Sequence, residues 1–167
     1  MGYHEHRHLA PASVSCAVVI VSDSRTEADD ESGKLIMQRL NDNGHRVAAY
    51  CILRNEADSI RQKILELVRQ DDVQVIITSG GTGVSHRDVT VDTLEPMLEK
   101  KLDGFGELFR SLTYQEIGTG SILSRATGGV IDGKVILCFP GSLGAATLAM
   151  DRVILPEIGH LVREATR

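Results

Sequence analysis

Three short segments bring together residue types that can do chemistry. They are Ser22-Asp23-Ser24-Arg25, residues 78–90 (TSGGTGVSHRDVT) and residues 138–146 (CFPGSLGAA). In the second, Gly80, Gly81 and Gly83 let the backbone turn sharply and direct several N–H groups at one anion, while Ser79 and Thr82 add hydroxyls suited to phosphate oxygens. A tight structural turn is the plainer reading of a bare Gly-Gly pair, but Ser and Thr interleaved behind an apolar run weigh toward a ligand. Pro140-Gly141 repeats the device, with Ser142 where a helix N-terminus would begin. Ser142 therefore has two compatible readings, anion donor and ordinary N-cap. Asp88, between Arg87 and a helical pattern starting near Val91, suits either a Mg²⁺ ion held among phosphates or a helix cap. Arg125 offers a planar fork of donors to a phosphate or a partner to surface acids.

Other chemistries lack their signatures. The chain has no GxxxxGK[ST], no complete GxGxxG, no GxSxG and no HExxH, which argues against P-loop NTPases, dinucleotide oxidoreductases, serine hydrolases and zincins. A net charge of −5 gives no general attraction to nucleic acid or to an anionic membrane. The apolar runs are of strand length, short of a membrane span, and no cleavable apolar leader is evident, so a cytosolic protein is expected. Cys16, Cys51 and Cys138 are odd in number, share no CxxC spacing and sit in apolar runs, which predicts buried thiols. His4, His6 and His8 alternate as a metal clasp might, yet residues 1–13 have no apolar period to order them, and a flexible tail is expected there. A binder of a phosphorylated heterocycle is what remains.

The elements that must position these segments follow from periodicity. Residues 14–21 (VSCAVVIV) form a continuous β-branched run, as in a strand covered on both faces. A helix is predicted from about Ser32, with Leu35, Ile36 and Leu40 facing inward and Asp29, Asp30 and Glu31 at its positive end. Strands are predicted over 47–53 and 73–77, separated by a helix from Ala57 to near Gln70, in which Ile60, Ile64, Leu67 and Val68 recur at helical steps. Asn55 to Asp58 reads as its capping arrangement. This βαβαβ order implies crossover helices and a doubly wound, mostly parallel sheet within one domain over 14–167. Short helices are expected around Val91–Leu98 and Phe105–Leu112. Asp132-Gly133 between two apolar runs predicts a type I′ hairpin adding an antiparallel strand. Pro156 is expected to break or kink the last helix before a short turn near Leu161.

SGGTG followed by RDVT, GFGELFR, LSRAT and FPGS, in that order, resembles the MoaB/MogA family of molybdenum cofactor biosynthesis proteins from about Val14 to Leu161. The resemblance implies a three-layer α/β/α fold, shared with a gephyrin domain and its plant counterpart, that assembles as trimers or hexamers. Active members transfer AMP from Mg-ATP to the terminal phosphate of molybdopterin, and the product passes to the molybdate-insertion enzyme. Carried onto this chain, the resemblance implies that Ser79, Gly80, Gly81, Thr82 and Gly83 line the nucleotide and pterin phosphate site, with Ser22, Asp23, Pro140, Gly141 and Ser142. It implies that Asp88 holds Mg²⁺, that Glu107 sits at the edge of the site and that Arg125 meets a phosphate. Adenylylating members usually carry a second Asp where this chain has Asn55, a weaker ligand for a hard cation; Glu56 substitutes only if the register shifts by one. Phe105, Phe109 and Tyr114 are the expected contacts of a homotrimer.

Overall fold

The computed structural model describes residues 2–167, apart from the side chains of Glu5 and His6. A short helix α1 (Tyr3–His8) leads into β1 (Ser15–Val21), α2 (Glu31–Asp42), β2 (Arg46–Leu53), α3 (Ala57–Val68) and β3 (Val75–Ser79). The second half runs through α4 (Thr90–Leu94), β4 (Lys100–Lys101), α5 (Asp103–Ile117), β5 (Thr127–Ile131), β6 (Lys134–Phe139), α6 (Leu143–Leu148) and α7 (Leu155–Ala165). The six strands form one sheet in the order β2-β1-β3-β6-β5-β4. β1, β2, β3 and β6 pair in parallel and β5 runs against both its neighbours. This is the expected mostly parallel sheet with one antiparallel hairpin strand.

Period-two alternation on buried strands builds two cores. Cys16, Val18 and Ile20 face one side with Val75, Ile77, Leu137 and Phe139, covered by α2, α5, α6 and α7. Ala17, Val19 and Val21 face the other with Ile76, Ile136 and Cys138, covered by α3 and α4. Helices on both faces make the three layers. The β5–β6 turn has Asp132 at φ 47° and Gly133 at φ 73°, both in the left-handed region that a type I′ turn requires.

Several expectations need correction. Residues 3–8, expected within a flexible tail, form α1: the Tyr3 hydroxyl donates to Glu157 (2.6 Å) and Arg7 to the Pro156 carbonyl (2.9 Å), so polar anchors replace the missing apolar period. The side chain of His6 lies outside the described residues, and among those described no His, Cys, Asp and Glu side chains gather as a metal site. Pro156 leaves no short terminal turn. The chain stays helical from α6 through a π-helical segment, Ala149–Ile154, into the eleven-residue α7, with Pro156 in its first turn. Phe105 and Phe109 are buried against the sheet rather than available to a partner; Leu108, Tyr114, Ile117, Ile122 and Leu123 are the exposed large apolar side chains of that region.

Candidate functional site

From β1 the chain crosses to β2 on one side, then returns past β1 to β3 on the other. The sheet order therefore reverses between β1 and β3, and a crevice opens beyond their carboxyl ends, where open α/β sheets bind ligands. It encloses about 330 Å³ and is lined by Ser22, Asp23, Arg25, Asn55, Gly80, Gly81, Thr82, Gly83, Asp88, Pro140 and Gly141, with Val21 and Leu123 as its apolar wall. All three chemistry-bearing segments thus meet at one place.

Close approach explains the glycines. Gly80 has φ +102°, and a Cβ there would overlap the Val21 carbonyl at the end of β1. Gly81 has φ +66°, and a Cβ there would collide with Asn55 Oδ1 and Thr90 Oγ1. Both of those oxygens are buried and without a hydrogen-bond partner among the described residues. The Gly80 N–H donates to the Phe139 carbonyl (3.0 Å) and the Gly81 carbonyl accepts from Thr90 N–H (3.0 Å), which pins the loop to β6 and α4. Among the described residues, the N–H groups of Gly81, Thr82 and Gly83 find no acceptor within the protein. The unpaired amides of this loop therefore begin at Gly81, because the Gly80 N–H is taken by β6.

Charged groups occupy both rims. Asp23 accepts from the Asn55 N–H (3.0 Å) and from Nε and Nη2 of Arg87 (3.1 and 2.8 Å). The Asn55 N–H and the Arg87 guanidinium hold its carboxyl below the usual carboxylate range. Asp88 accepts at Oδ2 from the Ser85 hydroxyl (2.6 Å) and N–H (3.2 Å), bracing its own loop, while Oδ1 accepts nothing among the described residues. It does not cap α4, whose N-cap is Val89.

Some expected residues stand elsewhere. The hydroxyl of Ser79 is buried and donates to the Pro140 carbonyl (3.3 Å), tying β3 to the Pro-Gly turn instead of facing a ligand. Ser142 accepts from the Ala145 N–H (3.1 Å) as the N-cap of α6, its structural reading. Glu56 is exposed and accepts from Ser59 (3.2 Å), and α3 starts from Glu56, so Asn55 does not cap it. Glu107 lines a neighbouring pocket of about 270 Å³ with Lys101, Arg110, Arg125 and Thr127. Arg125 lines that neighbouring pocket and touches the crevice loop only through the Gly83 carbonyl, to which it donates (3.0 Å), while pairing with Asp92 (2.7 Å). The sequence reading missed the Arg87 to Asp23 bridge; opposite charges on two loops already assigned to one crevice were the available signal.

The sequence matches, over residues 17–160, the family model described as "probable molybdopterin binding domain". It is 45% identical over 168 residues to the molybdenum cofactor biosynthesis protein B of Bacillus cereus, covering 100% of this chain and 99% of that relative. Among solved structures, a molybdenum cofactor biosynthesis protein B superposes with a TM-score of 0.90 at 46% identity, covering 93% of this chain and 98% of that one. The tungsten cofactor synthesizing protein MoaB from Pyrococcus furiosus superposes at 0.84 and 31% identity, covering 95% and 100%.

Proposed function

This chain belongs to the molybdopterin-binding domain family, and from that premise we propose that it acts in molybdenum cofactor biosynthesis by binding molybdopterin at the glycine crevice and adenylylating it. The observation that carries the reading is the set of three consecutive N–H groups, Gly81 to Gly83, without protein acceptors at the switch point of the sheet. They receive the terminal phosphate. The neighbouring pocket, lined by Arg125 and Glu107, takes the heterocycle, since Arg125 is bonded to the Gly83 carbonyl of the crevice loop.

Transfer would run in line: a terminal phosphate oxygen of molybdopterin attacks the α-phosphorus of ATP, the new P–O bond forms and pyrophosphate leaves. The residues fit a Mg²⁺ ion in their donor chemistry. Asp88 keeps one carboxylate oxygen uncommitted, Asn55 Oδ1 is a buried oxygen lacking a partner, and Mg²⁺ is commonly held by one or two protein oxygens together with phosphates. When bound, the ion would neutralise charge on the nucleotide phosphates. The crevice amides orient the attacking phosphate, and the glycines let it approach the backbone closely.

Adenylylation predicts Mg²⁺-dependent pyrophosphate release when the protein meets molybdopterin and ATP. Binding of molybdopterin without such release would remove the transfer step and leave a non-catalytic carrier. That second reading draws on two features: Asn55 is a neutral amide, and Arg87 already neutralises Asp23. We further propose a homotrimer, or a hexamer of paired trimers, covering Tyr114, Ile117, Ile122 and Leu123. Light scattering at a monomer mass would exclude it. No described helix is long and apolar enough to cross a membrane; a cytosolic site, with the molybdate-insertion enzyme as partner, completes the proposal.

A further inference from the structure

Arg25 stands in the crevice wall on a scaffold that nothing in a simple phosphate cradle demands. Its Nη1 and Nη2 donate to the Gly141 carbonyl (3.3 and 3.2 Å), which also accepts from Ser32 Oγ (2.9 Å). Nη1 lies 3.5 Å from Oδ1 of Asp30, a carboxylate with no exposed surface. Asp30 is itself fixed by the Gly33 N–H (2.9 Å) and the Tyr50 hydroxyl (2.6 Å). Burial and the neighbouring Asp30 push the Tyr50 phenol above its ordinary value, so it stays a donor. A side chain at Gly33 would strike Asp30 and the Tyr50 ring, so the helix start is shaped around this carboxylate.

A buried carboxylate that needs a partner can orient an arginine firmly. The crevice has three ionisable lining residues: Asp23, Asp88 and Arg25. Arg87 is committed to Asp23. Arg25 is therefore the one cation lining the crevice among the described residues, and its Nε finds no acceptor in the protein.

We propose that Arg25 is the anion-recognition residue of the crevice, presenting its unused guanidinium donors to a phosphate monoester bound on the Gly81 to Gly83 amides. Asp30 and Tyr50 are positioning residues that aim it. The inference rests on the phosphate reading of the crevice above and names the side chain that supplies the positive charge. A purely structural role, holding the Pro140-Gly141 turn against Gly80, would need the same Gly141 bonds but would not affect anion affinity once the fold is intact.

The test is titration of ¹⁵N-labelled protein with inorganic phosphate, following the Gly81, Thr82 and Gly83 amide resonances, in the parent, Arg25→Gln, Arg25→Lys and Tyr50→Phe, with thermal melts of each. Shifts in the parent, a loss of about tenfold or more in apparent affinity in Arg25→Gln and a smaller loss in Arg25→Lys and Tyr50→Phe are expected. Equal affinity in the parent and a folded Arg25→Gln or Arg25→Lys overturns the role of Arg25 and leaves the cradle standing. Amides unmoved in the parent overturn the cradle reading and this inference with it.

Discussion

Gly80→Ala isolates the close approach on which the crevice depends. The residue has φ +102°, a backbone state that costs a non-glycine side chain roughly 1–3 kcal/mol. Its Cβ would also overlap the carbonyl oxygen of Val21, which is backbone at the end of β1, paired there with Leu53 of β2, and cannot swing aside as a side chain could. Forcing extra atoms into so tight a place adds roughly 1–3 kcal/mol. The two effects together come to about 4 kcal/mol, and for a chain of this size each kcal/mol shifts Tm by about 2–4 °C. Melting followed by far-ultraviolet circular dichroism is expected to fall by about 8–16 °C. Gly104→Ala is the control with the opposite sign. That glycine lies in the first turn of α5 with nothing within 4 Å of its added Cβ, so alanine should stabilise by up to about 1 kcal/mol. A drop of less than about 4 °C in Gly80→Ala, or a loss in Gly104→Ala, would refute the packing argument.

Asp88→Ala should lower Mg²⁺-dependent turnover by about 100-fold or more, and Asn55→Asp should raise it by adding a carboxylate to the metal's donors; an unchanged pyrophosphate release rate in either variant counts against the assigned role. Burial pushes the thiols of Cys16 and Cys138 up to about 12, so both should resist iodoacetamide in the folded protein near neutral pH, and peptide mass spectrometry detecting their rapid alkylation would contradict the fold. Asp92 is held below its ordinary value by the Arg125 guanidinium, and Asp23 by the Asn55 N–H and Arg87. A depressed folded value means the stabilisation is present above the unfolded carboxylate pKa of about 3.9 and is lost as pH falls through the folded one. The melting temperature should therefore decline on acidification below about pH 4, and less so in Asp92→Asn than in the parent.

What the sequence made legible was whatever announces itself in apolar period or in turn chemistry. β1, β3 and β6 are mainly apolar runs with β-branched residues among them because both their faces are covered, and Asp132-Gly133 declares its hairpin through turn chemistry that two positive φ values match. The three loop segments could be placed at one crevice once the strand order was inferred. Features built from single polar contacts were not legible. β4 is two lysines paired through backbone to β5, which carries no apolar signal. Asn55 reads as a cap in sequence, yet the structure gives its N–H to Asp23 and leaves its Oδ1 facing Gly81. The Tyr50 to Asp30 to Arg25 relay joins the β1–α2 connection to β2, and only the folded sheet brings Tyr50 to that carboxylate. Ser79 shows the opposite lesson: a hydroxyl in a phosphate-like motif can belong to the scaffold.

The most direct measurement is a structure of the protein crystallised with molybdopterin. The account predicts terminal phosphate oxygens within about 2.7–3.2 Å of at least two of the Gly81, Thr82 and Gly83 backbone nitrogens. A phosphate bound elsewhere, with those amides turned to acceptors inside the protein, would contradict it.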